Sequence, residues 1–119
     1  MKQKRKGAAK RPHPDESFVE FVADQLSAIP ELFPRRMFGG FGFYSGEVFF
    51  AIIASGRLYL KTDEASRQEF VARGMTPFSP SETQTLKNYY EVPVDVLEDR
   101  TLLTSWARAA IRVAEISRS

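Results

Sequence analysis

The chain reads as an α+β protein: an antiparallel sheet of about five strands with helices packed on it. Three observations predict this. A helical stripe opens near Asp15, ahead of any strand-like run. Three β-rich runs follow, joined twice by the same Ser-Gly dipeptide. After a second helix, a short strand pair and a long amphipathic stretch close the sequence. The 119 residues suit one domain, and about 100 residues bury roughly two-thirds of their unfolded surface, enough for a core without staples.

The elements can be justified in order. Residues 1–14 hold Lys2, Lys4, Arg5, Lys6, Lys10 and Arg11 and no acid, without hydrophobic periodicity, so a disordered basic arm is expected there, with the domain occupying 15–119. Phe18, Val22, Leu26 and Ile29 form one helical stripe; Ser17-x-x-Glu20 has the form of a capping box, with Asp15 a competing start, and Pro30 and Pro34 end the helix. Strands are predicted at Arg36–Tyr44, Val48–Ala54 and Arg57–Lys61, a three-stranded meander, because glycine at Ser45-Gly46 and Ser55-Gly56 accepts the positive φ of hairpin turns. The middle run, VFFAIIA, is apolar on both faces and needs cover on both. Helices are expected to take one side; a second copy, a partner protein or the third helix wrapped around is expected on the other.

Thr62 or Asp63 starts a second helix that Gly74 ends. MTPFSP reads as a short edge strand, because proline limits its pairing. Thr85–Val92 alternates, with Leu86, Tyr90 and Val92 on one side and Lys87, Tyr89 and Glu91 on the other. A last helix is predicted from Asp99 to Ile116, burying Leu103, Trp106, Ala110, Val113 and Ala114.

Composition excludes several classes. There is no cysteine, hence no disulfide, thiolate metal site or cysteine nucleophile. This fits a reducing cytoplasm, as does the lack of an apolar signal segment, so a cytoplasmic protein is expected. No run approaches the ~18 apolar residues of a membrane span. Of 17 cations, six lie in the arm, leaving 11 against all 15 acids: the body is mildly acidic and the basic balance belongs to the arm. The arm is a candidate for weak, salt-sensitive contact with nucleic-acid phosphates.

The segment Gly39-Gly40-Phe41-Gly42-Phe43-Tyr44-Ser45-Gly46 has three readings. A dinucleotide fingerprint follows a strand and opens a helix; here a helix precedes and a strand follows. The RNA-binding octamer K/R-G-F/Y-G/A-F-V-x-F/Y matches at Gly40-Phe41-Gly42-Phe43, but Gly39 stands in the cation's place, Tyr44 in the valine's and Gly46 in the last aromatic's. The structural reading puts Phe41 and Phe43 on one strand face and Phe38 and Tyr44 on the other, with the glycines permitting a bulge or close packing. It explains the segment with the fewest exceptions.

Arg36-Met37-Phe38-Gly39-Gly40-x-Gly42-x-Tyr44, Phe50-Ala51 and Leu58-Tyr59-Leu60-Lys61 resemble the TfoX N-terminal domain, as do Tyr89-Tyr90-x-Val92-Pro93, Leu97-Glu98-Asp99 and Trp106. The resemblance spans roughly Asp15 to Ala114. It implies an α+β fold similar to type III secretion chaperones and a link to the TfoX/Sxy regulators of natural competence in bacteria, here as a stand-alone form of the domain.

No catalytic constellation is evident. His13 is the single histidine and falls between two prolines in the predicted arm; Asp63-Glu64 and Glu98-Asp99 sit at helix starts, where acids are favourable. No metal or cofactor is expected. Arg35, Arg36, Lys61, Lys87 and Tyr89 lie in or beside strands and form the candidate basic–aromatic patch for an acidic partner. The expected function is non-enzymatic regulation or adaptation through protein contact, with homodimerisation among the expected contacts.

Overall fold

The computed structural model describes residues 13–37 and 39–118. The expected arm residues Lys2, Lys4, Arg5, Lys6, Lys10 and Arg11, and Phe38, lie outside them. The elements are α1 (Glu16–Gln25), β1 (Leu32–Met37), β2 (Gly40–Ser45), β3 (Val48–Ala54), β4 (Arg57–Lys61), α2 (Glu64–Ala72), β5 (Pro77–Ser81), β6 (Gln84–Glu91), α3 (Val94–Leu97) and α4 (Arg100–Arg118). All six strands join one antiparallel sheet in the order β1-β2-β3-β4-β6-β5. It is the expected α+β architecture with one more strand.

The extra strand comes from the run predicted as Arg36–Tyr44. It is folded in half by a turn at Gly39, whose φ of 73° suits glycine. The first half begins at Leu32, ahead of a proline that sequence reasoning took as a helix stop. Pro34 is tolerated because β1 is an edge strand, where a missing N–H costs no ladder bond. Pro77 and Pro80 mark the other edge, β5, as expected.

Helices α1 and α4 cover one face of the sheet, α4 lying across β3 and β4. Beneath them Phe43, Phe50, Ala51, Ile53 and Leu60 are fully buried together with Val22, Leu26 and Leu103. Each large apolar side chain removed from water in this way contributes about 1.5–3 kcal/mol. A bulge helps: Phe43 pairs with Ala51 and Tyr44 with Phe49, so Phe50 is an extra residue and both Phe50 and Ala51 turn toward the helices.

On the other face of β3 no helix among the described residues packs over the strand. Ile52 is buried against Tyr59, Phe78 and Tyr89, with Leu86 packed alongside, so the β5–β6 hairpin supplies the cover. This corrects the alternation expected in β6. Phe78 pairs with Leu86 while adjacent Pro77 pairs with Tyr90, and that register shift puts Leu86 on the same side as Tyr89.

The helix starts are set by local polar groups. Asp63 accepts the Ser66 N–H at 2.8 Å and Ser66 Oγ accepts the Asp63 N–H, a reciprocal cap on α2. Asp99 accepts the Leu102 N–H at the start of α4. The box expected at Ser17 does not form; the helix starts at Asp15, whose carboxylate is used elsewhere. It accepts the Gly56 N–H at 2.8 Å, bolting α1 to the β3–β4 turn.

Candidate protein-docking face

The helix-free side of the sheet carries a row of rings. Phe33 stacks on Tyr44 with centroids 5.3 Å apart, Tyr44 on Phe49 at 5.2 Å, and Phe49 on Tyr89 at 5.6 Å. Gly42 makes the row possible: a Cβ there would stand 2.6 Å from the Phe49 ring and 2.7 Å from the Met37 methyl. The same alternation that sends Phe41 and Phe43 under the helices sends Tyr44, past the bulge, to this side.

Two cations border the row. The Arg35 guanidinium lies 5.7 Å from the Tyr44 centroid and the Lys61 ammonium 5.2 Å from that of Tyr89. Such contacts are worth about 0.5–1 kcal/mol at exposed sites. Phe33 is 40 % exposed, and Met37, Tyr44 and Phe49 are half-buried. Tyr89 is buried; its phenol is pushed up to about 12 by burial first, then by the neighbouring Tyr44 phenol. Burial, then Glu91, raises Tyr59, with Arg57 opposing.

Of the residues the sequence proposed, Arg35, Lys61 and Tyr89 meet here. Arg36 does not. Strand alternation turns it to the helix side, over Phe41 at 5.7 Å and in an ion pair with Glu16 at 3.6 Å. Lys87 is exposed, in the part of β6 where pairing with β5 shifts register, and takes part in none of the ring contacts. Phe33, Met37, Tyr44 and Phe49 were missed as surface residues. The signal was there: Phe33, Arg35 and Met37 alternate as one face of β1 once Pro34 is read as an edge residue.

The ring planes are 13–35° apart, each leaning on the next, so Tyr44 and Phe49 each have a ring on either side. A nucleobase stacks on an open aromatic face, and in this row Phe33, at the end, is the most exposed ring.

His13 lies against the β1–β2 turn, held at both nitrogens. Nδ1 accepts the Asp15 N–H at 3.0 Å, which puts the proton on Nε2, 2.6 Å from the Gly39 carbonyl it donates to. The ring is also edge-on to Phe41. A histidine engaged in this way pins the start of α1 to the β1–β2 turn. Among the described residues no cluster of three or more His, Asp or Glu side chains is placed to hold a metal ion.

The architecture is that of a small sheet-and-helix domain with one face packed by helices and a basic-rimmed aromatic row on the other. The family model of the TfoX N-terminal domain matches residues 24–114, and the chain belongs to that family, which is associated in general with regulation of competence. No curated protein matches the chain. Among the described residues no helix is long and apolar enough to cross a membrane.

Proposed function

We propose that this domain is a non-enzymatic regulatory or adaptor module that acts by protein–protein contact in the control of competence or transcription. The ring row is its docking face. The observation that carries the reading is the half-open apolar strip Phe33–Met37–Tyr44–Phe49 with Arg35 and Lys61 on its rim. An apolar centre with a charged rim is how specific interfaces are built, and the rim here selects an acidic partner. Prolines at both sheet edges hinder strand addition, so contact runs through the face.

The test is a pull-down from native cells with wild type, the double variant Arg35→Glu/Lys61→Glu, and Arg36→Glu as control. The reading expects one partner set lost from the double variant and kept by Arg36→Glu, with circular dichroism unchanged. Equal capture by all three removes the ring row from consideration. A second reading comes from the six cations of residues 1–14: nucleic-acid association through phosphate contacts. Duplex-DNA affinity measured across salt, with and without residues 1–12, separates the two. The second reading needs a salt-steep interaction that disappears with the arm.

A further inference from the structure

A cleft of about 500 Å³ opens between Ala28, just past the end of α1, and the polar side of α4. Its α4 wall is made of Arg100, Thr101, Thr104, Ser105, Arg108 and Arg112, and among the described residues no carboxylate lines it. Arg108 and Arg112 also border a smaller hollow beyond it, which Glu115 lines as well. Arg112 stands on the crest of α4 and borders the α2 side too, whereas Arg108 is confined to the α1 side.

Two of the six side chains are already used, and they fix the shape of the cleft. Arg100 Nη1 donates to the Asp24 carbonyl at 2.8 Å and to Ser27 Oγ at 3.2 Å, and Nη2 pairs with the Asp24 carboxylate at 3.0 Å. These bonds tie α4 to the end of α1 and neutralise Arg100. Thr104 Oγ1 donates to the Arg100 carbonyl at 2.8 Å. The other four are uncommitted. Thr101, Ser105, Arg108 and Arg112 are exposed, and among the described residues their side chains make no hydrogen bond, ion pair or ring contact. Spaced 4-3-4, they share one face of the helix over roughly 16 Å.

Donor count and charge specify an occupant. Free N–H and O–H groups along one wall call for acceptor oxygens, and two guanidiniums one helical turn apart call for more than one negative charge. A carboxylate brings one charge and leaves one arginine uncompensated. A phosphoryl group brings three acceptor oxygens and nearly two charges, in a geometry that matches the guanidinium fork. We infer that this cleft binds a small phosphate-bearing molecule, a phosphomonoester or a diphosphate, with its phosphoryl oxygens on Arg108 and Arg112 and hydrogen bonds from Ser105 and Thr101. A nucleic-acid strand is the poorer occupant, because its phosphates would run on toward the Asp24 carboxylate at one end and Glu115 at the other. No residue of the ring row lines the cleft, so the inference rests on different side chains from the docking face.

The test is heteronuclear NMR of the full chain titrated with pyrophosphate at fixed ionic strength. Saturable shifts are expected in the amides from Thr101 to Arg112 and in the Arg108 Nε–H signal. Arg108→Gln should weaken binding roughly tenfold or more, since it removes hydrogen bonds to a charged group, and Ser105→Ala should weaken it less. Lys87→Gln, at an exposed cation on β6, should leave affinity unchanged. The spectrum of each variant also reports whether it is folded. Succinate, a dianion of two carboxylates, should bind roughly tenfold more weakly than pyrophosphate. Shifts confined to residues 1–12, or unchanged affinity in Arg108→Gln, would overturn the inference. Succinate binding as tightly as pyrophosphate would also overturn it, by assigning the cleft to acidic side chains of a protein. A stripe that responds to duplex DNA and not to pyrophosphate would overturn it in favour of nucleic acid.

Discussion

Replacing Gly40 with alanine tests what the glycines are for. A Cβ at this position would collide with the Ile53 carbonyl oxygen and lie 3.3 Å from the Ile53 carbonyl carbon and 3.4 Å from the Ala54 Cα. All three atoms are backbone of the neighbouring strand, so no rotamer change relieves the overlap and β2 must move away from β3. Inserting one methyl into well-packed structure costs about 1–3 kcal/mol, and an overlap with fixed backbone belongs at or above the top of that range. For a domain of about 100 residues, roughly 3 kcal/mol lowers Tm by about 12–24 °C. Two neighbours calibrate the result. At Gly42 the obstructing atoms are the ends of the Met37 and Phe49 side chains, which can shift, so Gly42→Ala should cost about 1 kcal/mol. At Gly39 a Cβ meets nothing within 4 Å and only the φ of 73° opposes it, about 1–2 kcal/mol. Urea titrations of the three variants give the order directly. If Gly40→Ala were no costlier than Gly39→Ala, close strand approach would not be the reason for glycine there.

Other outcomes follow from the same geometry. Phe43→Ala, at a fully buried ring, should cost about 3–5 kcal/mol by urea unfolding, whereas Phe33→Ala, at a 40 % exposed edge residue, should cost far less. Tyr89 is neutral in the fold up to about pH 12 but ionises near 10 when unfolded, so the stability it contributes is intact below pH 10 and lost between about pH 10 and 12. Alkaline unfolding followed by tyrosinate absorbance should show this loss, and Tyr89→Phe should diminish it. Arg35→Glu/Lys61→Glu removes two cation–ring contacts worth about 0.5–1 kcal/mol each, so it should lower stability by about 1–2 kcal/mol in urea titration while circular dichroism stays native.

The sequence was most legible where local chemistry and pattern agreed. Asp63 before an apolar side and Gly74 after it bounded α2, and the Ser-Gly dipeptides placed two hairpins, because caps and turns are decided within four residues. What it concealed depended on distant partners. Asp15 looks like a cap, but its carboxylate serves a turn 41 residues away. Pro34 looks like a helix stop, and it becomes an edge-strand residue only because β2 folds back on β1. In β6 the alternation of Leu86 and Tyr89 failed because a register shift, set by pairing with β5, is invisible in either strand alone. For the candidate site, Arg35, Lys61 and Tyr89 were readable as strand residues of one character. The rings beside them were not, because their common face exists only once the five strands from β1 to β6 in the sheet order are assembled. On α4 the sequence grouped Val113 with the buried Leu103, Ala110 and Ala114, and the structure leaves it half-covered beside them, while Trp106 packs on the core as expected.

The central claim is that the glycine-spaced aromatic strand is interior scaffold and holds no ligand. Amide hydrogen exchange of Gly40–Ser45 tests it most directly, with and without added nucleoside triphosphate or single-stranded RNA. The account predicts that Phe41 and Phe43 amides exchange only with near-global unfolding and are indifferent to both additions. Rapid exchange in the free protein that slows when either is added would contradict it.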